Sequence, residues 1–174
     1  MPRRRCAADD GTVRVMTPGL TLKTYEEGER NAMSDAMEIM GRAFDPAFGE
    51  AWTLPQLAGV MTMPGTWLTI ARIDAAPVGF ALVRSVLDEC ELLLLAVSPL
   101  WRGRGIGEAL LLDSLRTARR RGITSMNLEV RASNTAIRLY EKAGFEYVHR
   151  RPGYYRGNDG QLHDALSFRI DMLR

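Results

Sequence analysis

Apolar and polar positions fall into blocks of two periods, each closed by a turn-forming residue. Leu20–Tyr25 alternates residue by residue, the pattern of a strand with one buried face. Glu29–Phe44 sets Ala32, Met33, Ala36, Met37, Met40 and Ala43 at helical spacing, which predicts an amphipathic helix with its methionines packed in the core. Asp45–Trp52 breaks the period and reads as a loop, whose aromatic residues either line a cleft or pack beneath it. Thr53 is placed to cap a short second helix through Val60, with Pro55 in the first turn, where a missing N–H costs little. Pro64-Gly65 ends that helix.

Thr66–Ile73, Val78–Val86 and Glu89–Val97 read as three strands, joined through Asp74-Ala75-Ala76-Pro77 and Leu87-Asp88. Short connections between consecutive strands predict an antiparallel meander. Gly105–Arg121 is a helix turning Ile106, Ala109, Leu110, Leu115 and Ala118 to the sheet, with Arg119–Arg121 in its last turn and Gly122 as its stop. A strand at Ser125–Val130, a helix at Ala132–Ala143 stopped by Gly144, and a strand at Phe145–His149 follow. A loop of Pro, Gly, Tyr and Asn leads to a last strand, Leu162–Asp171. The order predicts one α/β domain with a mixed sheet over residues 19–174, after a polar, poorly ordered leader at 1–18.

Composition narrows the class. The 174 residues suit a single full-sized core, and the 23 basic against 21 acidic residues argue neither for nor against nucleic acid. Arg3–Arg5 belongs to the leader, and Arg119–Arg121 is a helix end whose charge suits the dipole. Cys6 and Cys90 fall in the leader and in a strand, so no disulfide is expected and a reducing cytoplasm fits. The positive N-terminus lacks the apolar stretch of a signal peptide. The longest apolar run, Leu92–Val97, is far short of a membrane span. His149 and His163 stand apart and form no ligand spacing with the cysteines, so no metal is expected.

Candidate chemistry starts at Arg102-Gly103-Arg104-Gly105-Ile106-Gly107-Glu108, between a buried strand and a helix. Glycines there allow sharp turns, and a helix N-terminus offers free N–H groups and partial positive charge to a phosphate. The Gly-Lys-Ser/Thr ending of a nucleoside-triphosphate loop is absent, and G-x-G-x-x-G fails at Glu108 or at Leu110. An ordinary glycine-rich turn is the plain alternative. The spacing Arg102-x-x-Gly105-x-Gly107 resembles the acyl-CoA loop of the GNAT N-acetyltransferases. Leu128-Glu129-Val130-Arg131-Ala132-Ser133-Asn134 and Leu139-Tyr140-Glu141-Lys142-Ala143-Gly144-Phe145 extend the resemblance. Val86–Glu89 with Leu95–Val97, and Arg150–Tyr155 with Asp159-Gly160 and Asp164-Ala165, bring it close to the ribosomal-protein-alanine N-acetyltransferases over about residues 20–170.

That resemblance implies the GNAT fold: a mixed, mostly antiparallel twisted sheet of six to seven strands flanked by about four helices. It implies acetyl-CoA as co-substrate and a protein N-terminus, that of a small-subunit ribosomal protein beginning with Ala, as acceptor, with no direct role for nucleic acid or membrane. It sets no oligomeric state. A small-molecule amine is the near alternative as acceptor. A non-catalytic acyl-CoA-binding domain is a further one, disfavoured because a binder needs neither Glu129 nor Tyr140. By resemblance Glu129 is the base and Tyr140 the acid for the leaving thiolate. Leu95, Ala96 and Val97 hold the pantetheine arm, with an oxyanion donor near Ala96–Val97. Gly103, Gly105, Ile106, Gly107 and Glu108 hold the pyrophosphate, Arg102 and Arg104 supply charge, Asn134 contacts the cofactor, and Tyr154 and Tyr155 shape the acceptor channel.

The residues supply their own reasons and alternatives. Apolar neighbours of Glu129 on an internal strand would desolvate its carboxylate and raise its pKa, unless it pairs with Arg131 or a neighbouring chain. Tyr140 is alternatively a buried tyrosine with a satisfied hydroxyl, and Tyr154-Tyr155 a packing pair at a turn. Asn134 and Tyr140 are one residue closer than in the family, and one residue is about 100° of helix. Shortening of the preceding loop keeps Tyr140 in place and shifts Asn134.

Overall fold

The strands β1 (Leu20–Tyr25), β2 (Thr66–Ile73), β3 (Ala76–Val86), β4 (Glu89–Val97), β5 (Ser125–Arg131), β6 (Glu146–Arg156) and β7 (Leu162–Asp171) form one sheet in the order β1-β2-β3-β4-β5-β7-β6. The structure is a computed structural model and describes residues 17–26 and 29–172. All but the last two residues of the expected leader therefore lie outside the described residues. Every neighbouring pair is antiparallel except β4–β5, which is parallel. Four helices, α1 (Arg30–Ala43), α2 (Leu54–Met61), α3 (Ile106–Arg120) and α4 (Ile137–Lys142), complete the mixed α/β architecture.

The central strands are buried on both faces. Along β2, Trp67, Ala71 and Ile73 pack with Leu110, Leu111 and Leu115 of α3, while Leu68 and Ile70 pack with Ala36, Ile39 and Met40 of α1 and Leu57 of α2. Side chains of successive strand residues leave on opposite faces, so a strand covered on both sides must be apolar throughout. Gly79 lets β3 and β4 lie close under α3: a Cβ there would sit 2.9 Å from Ala96 O and 3.0 Å from Leu110 Cδ1. α4 lies on the α3 side, with Tyr140 in that core. On the opposite face, α1 packs on β2, β3 and β4. The same face of β5 and β7 carries Asn127, Glu129, Arg131, Ser167 and Arg169, the polar alternates to apolar Leu128, Val130 and Phe168.

One irregularity opens the sheet. In the β3–β4 ladder Leu82 faces Leu94 but Val83 faces Leu92, leaving Leu93 as an extra residue. Such a bulge bends and twists its strand. Pairing of β4 with β5 ends near that point, after Glu91 and Asn127. Beyond it, β4 continues to Val97 and β5 to Arg131 without pairing, and a gap separates them.

Three elements differ from expectation. The helix expected from Ala132 begins at Ile137, because Asn134 claims the backbone before it: its N–H donates to Arg131 O at 2.8 Å, and its Oδ1 accepts from Ala136 N at 2.9 Å. The strand expected to stop at His149 runs on to Arg156 with a register break between Arg151 and Tyr155. As an edge strand, β6 tolerates Pro152. Gly153 takes φ +61° there and donates its N–H to Asp164 Oδ1 at 2.8 Å. Tyr154 and Tyr155 thus stand on a bulged strand, not in a loop. The turn between β2 and β3 is likewise shorter than expected, with Ala76 and Pro77 already in β3.

Candidate active site

The gap between β4 and β5 is the floor of a cleft of about 850 Å3. Leu95, Ala96 and Val97 form one wall; Gly103, Gly105, Ile106, Gly107 and Glu108 form the rim at α3. Leu139 and Tyr140 close the α4 side, and Phe44, Phe48, Glu50 and Arg131 close the side facing α1. Ser98 N–H donates to Val78 O at 2.9 Å. Antiparallel alternation then turns the N–H and C=O of Leu95 and Val97 away from β3, into the gap. Val97 O accepts from Arg102 Nε there at 3.2 Å.

The α3 rim is built to receive an anion. Gly103 and Gly105 have φ of +73° and +78°, with open space where a Cβ would stand. Gly105 caps α3 without a side-chain hydrogen bond. The N–H groups of Gly103 through Glu108 donate to no acceptor among the described residues. Orphaned donors at the start of a 15-residue helix, with its dipole behind them, fit the pyrophosphate of acetyl-CoA. Glu108 would oppose that anion, but Lys142 Nζ holds its carboxylate at 2.9 Å.

The two arginines of the loop have other partners in this structure. Arg102 lines the cleft, but its guanidinium is a strut: Nε binds Val97 O, and Nη2 donates to Ala43 O at 2.7 Å. It ties β4 to the end of α1. Arg104 lies outside the lining, with its guanidinium carbon 4.7 Å from the Trp101 ring centroid. Neither guanidinium is placed over the glycine rim as a free charge. Asn134 lines the cleft, but its Oδ1 is already engaged by Ala136 N.

Tyr140 and Glu129 approach the gap from opposite faces. Tyr140 is 6% exposed and packs edge-on to Phe145 at 6.0 Å on the α3 side. Burial, with Tyr155 nearby as a lesser cause, pushes its phenol well above the ordinary tyrosine value. Glu129 projects from the other face and is not in the cleft lining. The dry surroundings expected for it are absent. Arg151 Nη1 lies 2.9 and 3.2 Å from its two oxygens, and Ser167 Oγ donates to Oε1 at 3.2 Å. Its ion partner is thus Arg151 on β6; the sequence offered such pairing as an alternative, with Arg131 or a neighbouring chain. Arg131 instead binds Glu50 Oε1 at 3.0 Å and lies 3.6 Å over the Phe48 ring. Tyr155 stands within the electrostatic reach of both faces: burial first, then the charges of Glu129 and Glu50, push its phenol up to about 12. Tyr154 packs on Tyr155 with ring centroids 5.1 Å apart and lies outside the lining, as does Tyr155.

Sequence reasoning missed the lid over the α1 side of the cleft. Asn158, in the β6–β7 turn, donates its N–H to Ala47 O at 2.8 Å and its amide to Pro46 O. Phe48 meets His163 edge-on at 5.3 Å. The loop after α1 is thereby clasped to the β6–β7 hairpin. Its aromatic content was the one visible signal: Phe48 lines the cleft, whereas Trp52 packs against the α1 core. Nothing in the spacing of Glu50 and Arg131, 81 residues apart, announces their pairing.

Known proteins share this arrangement. The acetyltransferase (GNAT) family model matches residues 33–145, from α1 to the end of α4. The ribosomal protein bS18-alanine N-acetyltransferase of Haemophilus influenzae is 39% identical over 89 residues, 51% of this chain and 61% of that protein. The match therefore spans less than two thirds of that relative. A mycothiol acetyltransferase of Thermomonospora curvata is 34% identical over 151 residues, 82% of this chain and 50% of that protein. The crystal structure of the ribosomal-protein-S18-alanine N-acetyltransferase from Escherichia coli superposes with a TM-score of 0.77 at 31% identity, covering 87% of this chain and 93% of that one. The split β4–β5 pair, the open N-terminus of α3 beside it and a family match across both lead to one conclusion: the chain belongs to the acetyltransferase (GNAT) family.

Proposed function

We propose that the protein transfers the acetyl group of acetyl-CoA to the α-amino group of a protein N-terminus, with the alanine end of a small-subunit ribosomal protein as the favoured acceptor. One observation carries the chemistry: a phenol and a carboxylate stand on opposite faces of a sheet at the place where its strands part. A thioester held on the α3 side and an amine entering from the α1 side meet in the gap. Bound acetyl-CoA supplies the activated carbonyl. Gly103 to Glu108 hold its pyrophosphate through backbone N–H groups, and the Leu95–Val97 edge holds the pantetheine arm. The Val97 N–H faces the gap and is available to negative charge building on the carbonyl oxygen. Glu129 accepts the amine proton, directly or through a water, which is a modest task because an α-amino group has a pKa near about 8. Tyr140, protonated throughout the neutral range, gives its proton to the departing sulfur.

The relatives named for ribosomal protein bS18 support the acceptor, as does the clasped lid, which leaves Glu50 and Arg131 as a polar rim for a peptide. The mycothiol acetyltransferase match, over more of this chain, favours a second acceptor class, a small molecule in the same cleft. Replacing Glu129 by Gln tests the base. Turnover should fall by about 10²–10⁴-fold, the contribution of a positioned base, while acetyl-CoA affinity holds. Parental turnover in that variant would remove Glu129 from the mechanism.

A further inference from the structure

The geometry points to Arg151 as a resident cation that the acceptor's ammonium must displace from Glu129. The inference rests on the proposed role of Glu129. An amine acceptor arrives largely protonated at neutral pH, because its pKa lies near about 8. Before it loses that proton it is a cation seeking a carboxylate, and the carboxylate assigned to it already holds one. Arg151 Nη1 reaches both oxygens of Glu129, at 2.9 and 3.2 Å. Ser167 Oγ binds one of them at 3.2 Å, which fixes the carboxylate in place whether or not the arginine stays.

The two partners are unequally held. The Glu129 side chain is 25% exposed on an interior strand, whereas that of Arg151 is 44% exposed on the edge strand. Arg151 opens the register break of β6, followed at once by Pro152 and by Gly153 at φ +61°. A second seat for the guanidinium is already present: its central carbon lies 3.7 Å over the Tyr154 ring. A cation–π contact of this kind is worth about as much as a part-exposed ion pair. The arginine can therefore leave the carboxylate and remain on the tyrosine. The other charged or titratable groups around Glu129 are Glu91 from β4, Arg169 from β7, Tyr155 and His149 from β6, Glu50 from the clasped loop and Arg131 on its own strand. Arg131 is held by Glu50 beneath 11% exposure and Arg169 by both Glu89 and Asp171, which leaves Arg151, among the described residues of this face, as the cation free to move.

Arg151 so placed is a positioning residue that selects against weakly basic or poorly seated acceptors, since only a cation that binds Glu129 better than Arg151 gains access. The test compares Arg151→Ala with the parent, with a peptide amine as acceptor and guanidinium chloride at millimolar, non-denaturing levels as probe. KM for the amine should fall by about 2–5-fold, the size of a part-exposed pair, with kcat/KM rising by the same factor. Guanidinium should compete with the amine several-fold more strongly in the variant than in the parent, because it refills the vacated seat. Arg151→Gln gives the same comparison should the Ala variant be unstable. A KM that is unchanged or higher, or guanidinium competition equal in both proteins, overturns the inference. Glu129→Gln separates the two levels. Parental turnover there removes the base, whereas lost turnover with an unaltered KM in the Arg151 variants removes only the exchange.

Discussion

In the proposed mechanism Tyr140 carries the most demanding single role, and its surroundings define what its replacement should do. The ring is buried among Leu139, Phe145 and the α3 core, and its hydroxyl has no hydrogen-bond partner among the described residues. A Phe in its place keeps the packing and leaves no polar group stranded, so the fold should be unharmed. The proton for the sulfur is lost, and kcat should drop by about 10²–10⁴-fold with the melting temperature unchanged within error. A parental kcat in Tyr140→Phe would show that another donor serves the leaving group. At this scale the sequence was informative where a residue's role follows from its own element. Family wording on an expected helix points to Tyr140, and it reaches the cleft despite the shortened spacing from Asn134. Residue roles that depend on distant partners were not legible. The Glu129–Arg151 pair, the Arg102 strut to Ala43 and the seating of Arg104 on Trp101 each join side chains whose sequence positions say nothing of their directions.

Among the elements, the junction of β4 and α3 is where the proposed reading has acetyl-CoA held. Gly105 sits at φ +78°, where a side chain costs about 1–2 kcal/mol, and nothing protein-derived fills the space its Cβ would take. Gly105→Val should lower stability by that amount and raise the dissociation constant for CoA at least about tenfold, the size of one lost charge-assisted hydrogen bond. Calorimetric titration with CoA reads the affinity, and thermal melting shows that the chain is folded. Undiminished affinity would move the pyrophosphate away from this rim. The junction was legible because the glycine pattern and the switch from apolar run to amphipathic period are local. All of β1, β2, β4 and β7 also match the patterning to the residue. The later elements were harder. A helix is expected from Ala132 to the stop at Gly144, but Asn134 bonds its own neighbours and delays its start to Ile137. Pro152 and Gly153 looked like a loop, yet β6 lies at the sheet edge, where a missing N–H and a left-handed residue are absorbed as a bulge.

Across the whole molecule, the central feature is a sheet covered by helices on both faces and split between them. The bulge at Leu93 comes where β4–β5 pairing stops, so one irregularity yields both the edge that would hold the pantetheine arm and the opening between the faces. Sequence patterning predicted a mixed sheet with a meander, but strand order and the split depend on pairings between residues far apart in the chain. The acceptor side is covered by the loop after α1 and the β6–β7 turn, joined through Asn158 and Ala47. Phe48, Glu50 and Arg131 line the cleft beneath this clasp, where the proposed reading brings in the N-terminus of a peptide. The most direct measurement is therefore the rate of CoA release from acetyl-CoA with two acceptor peptides: one beginning with a free alanine, and one of the same sequence with a blocked N-terminus and an internal lysine. Turnover is expected with the free alanine and none above background with the blocked peptide. Turnover with the blocked peptide, or with neither peptide while acetyl-CoA still binds, would contradict the proposed function.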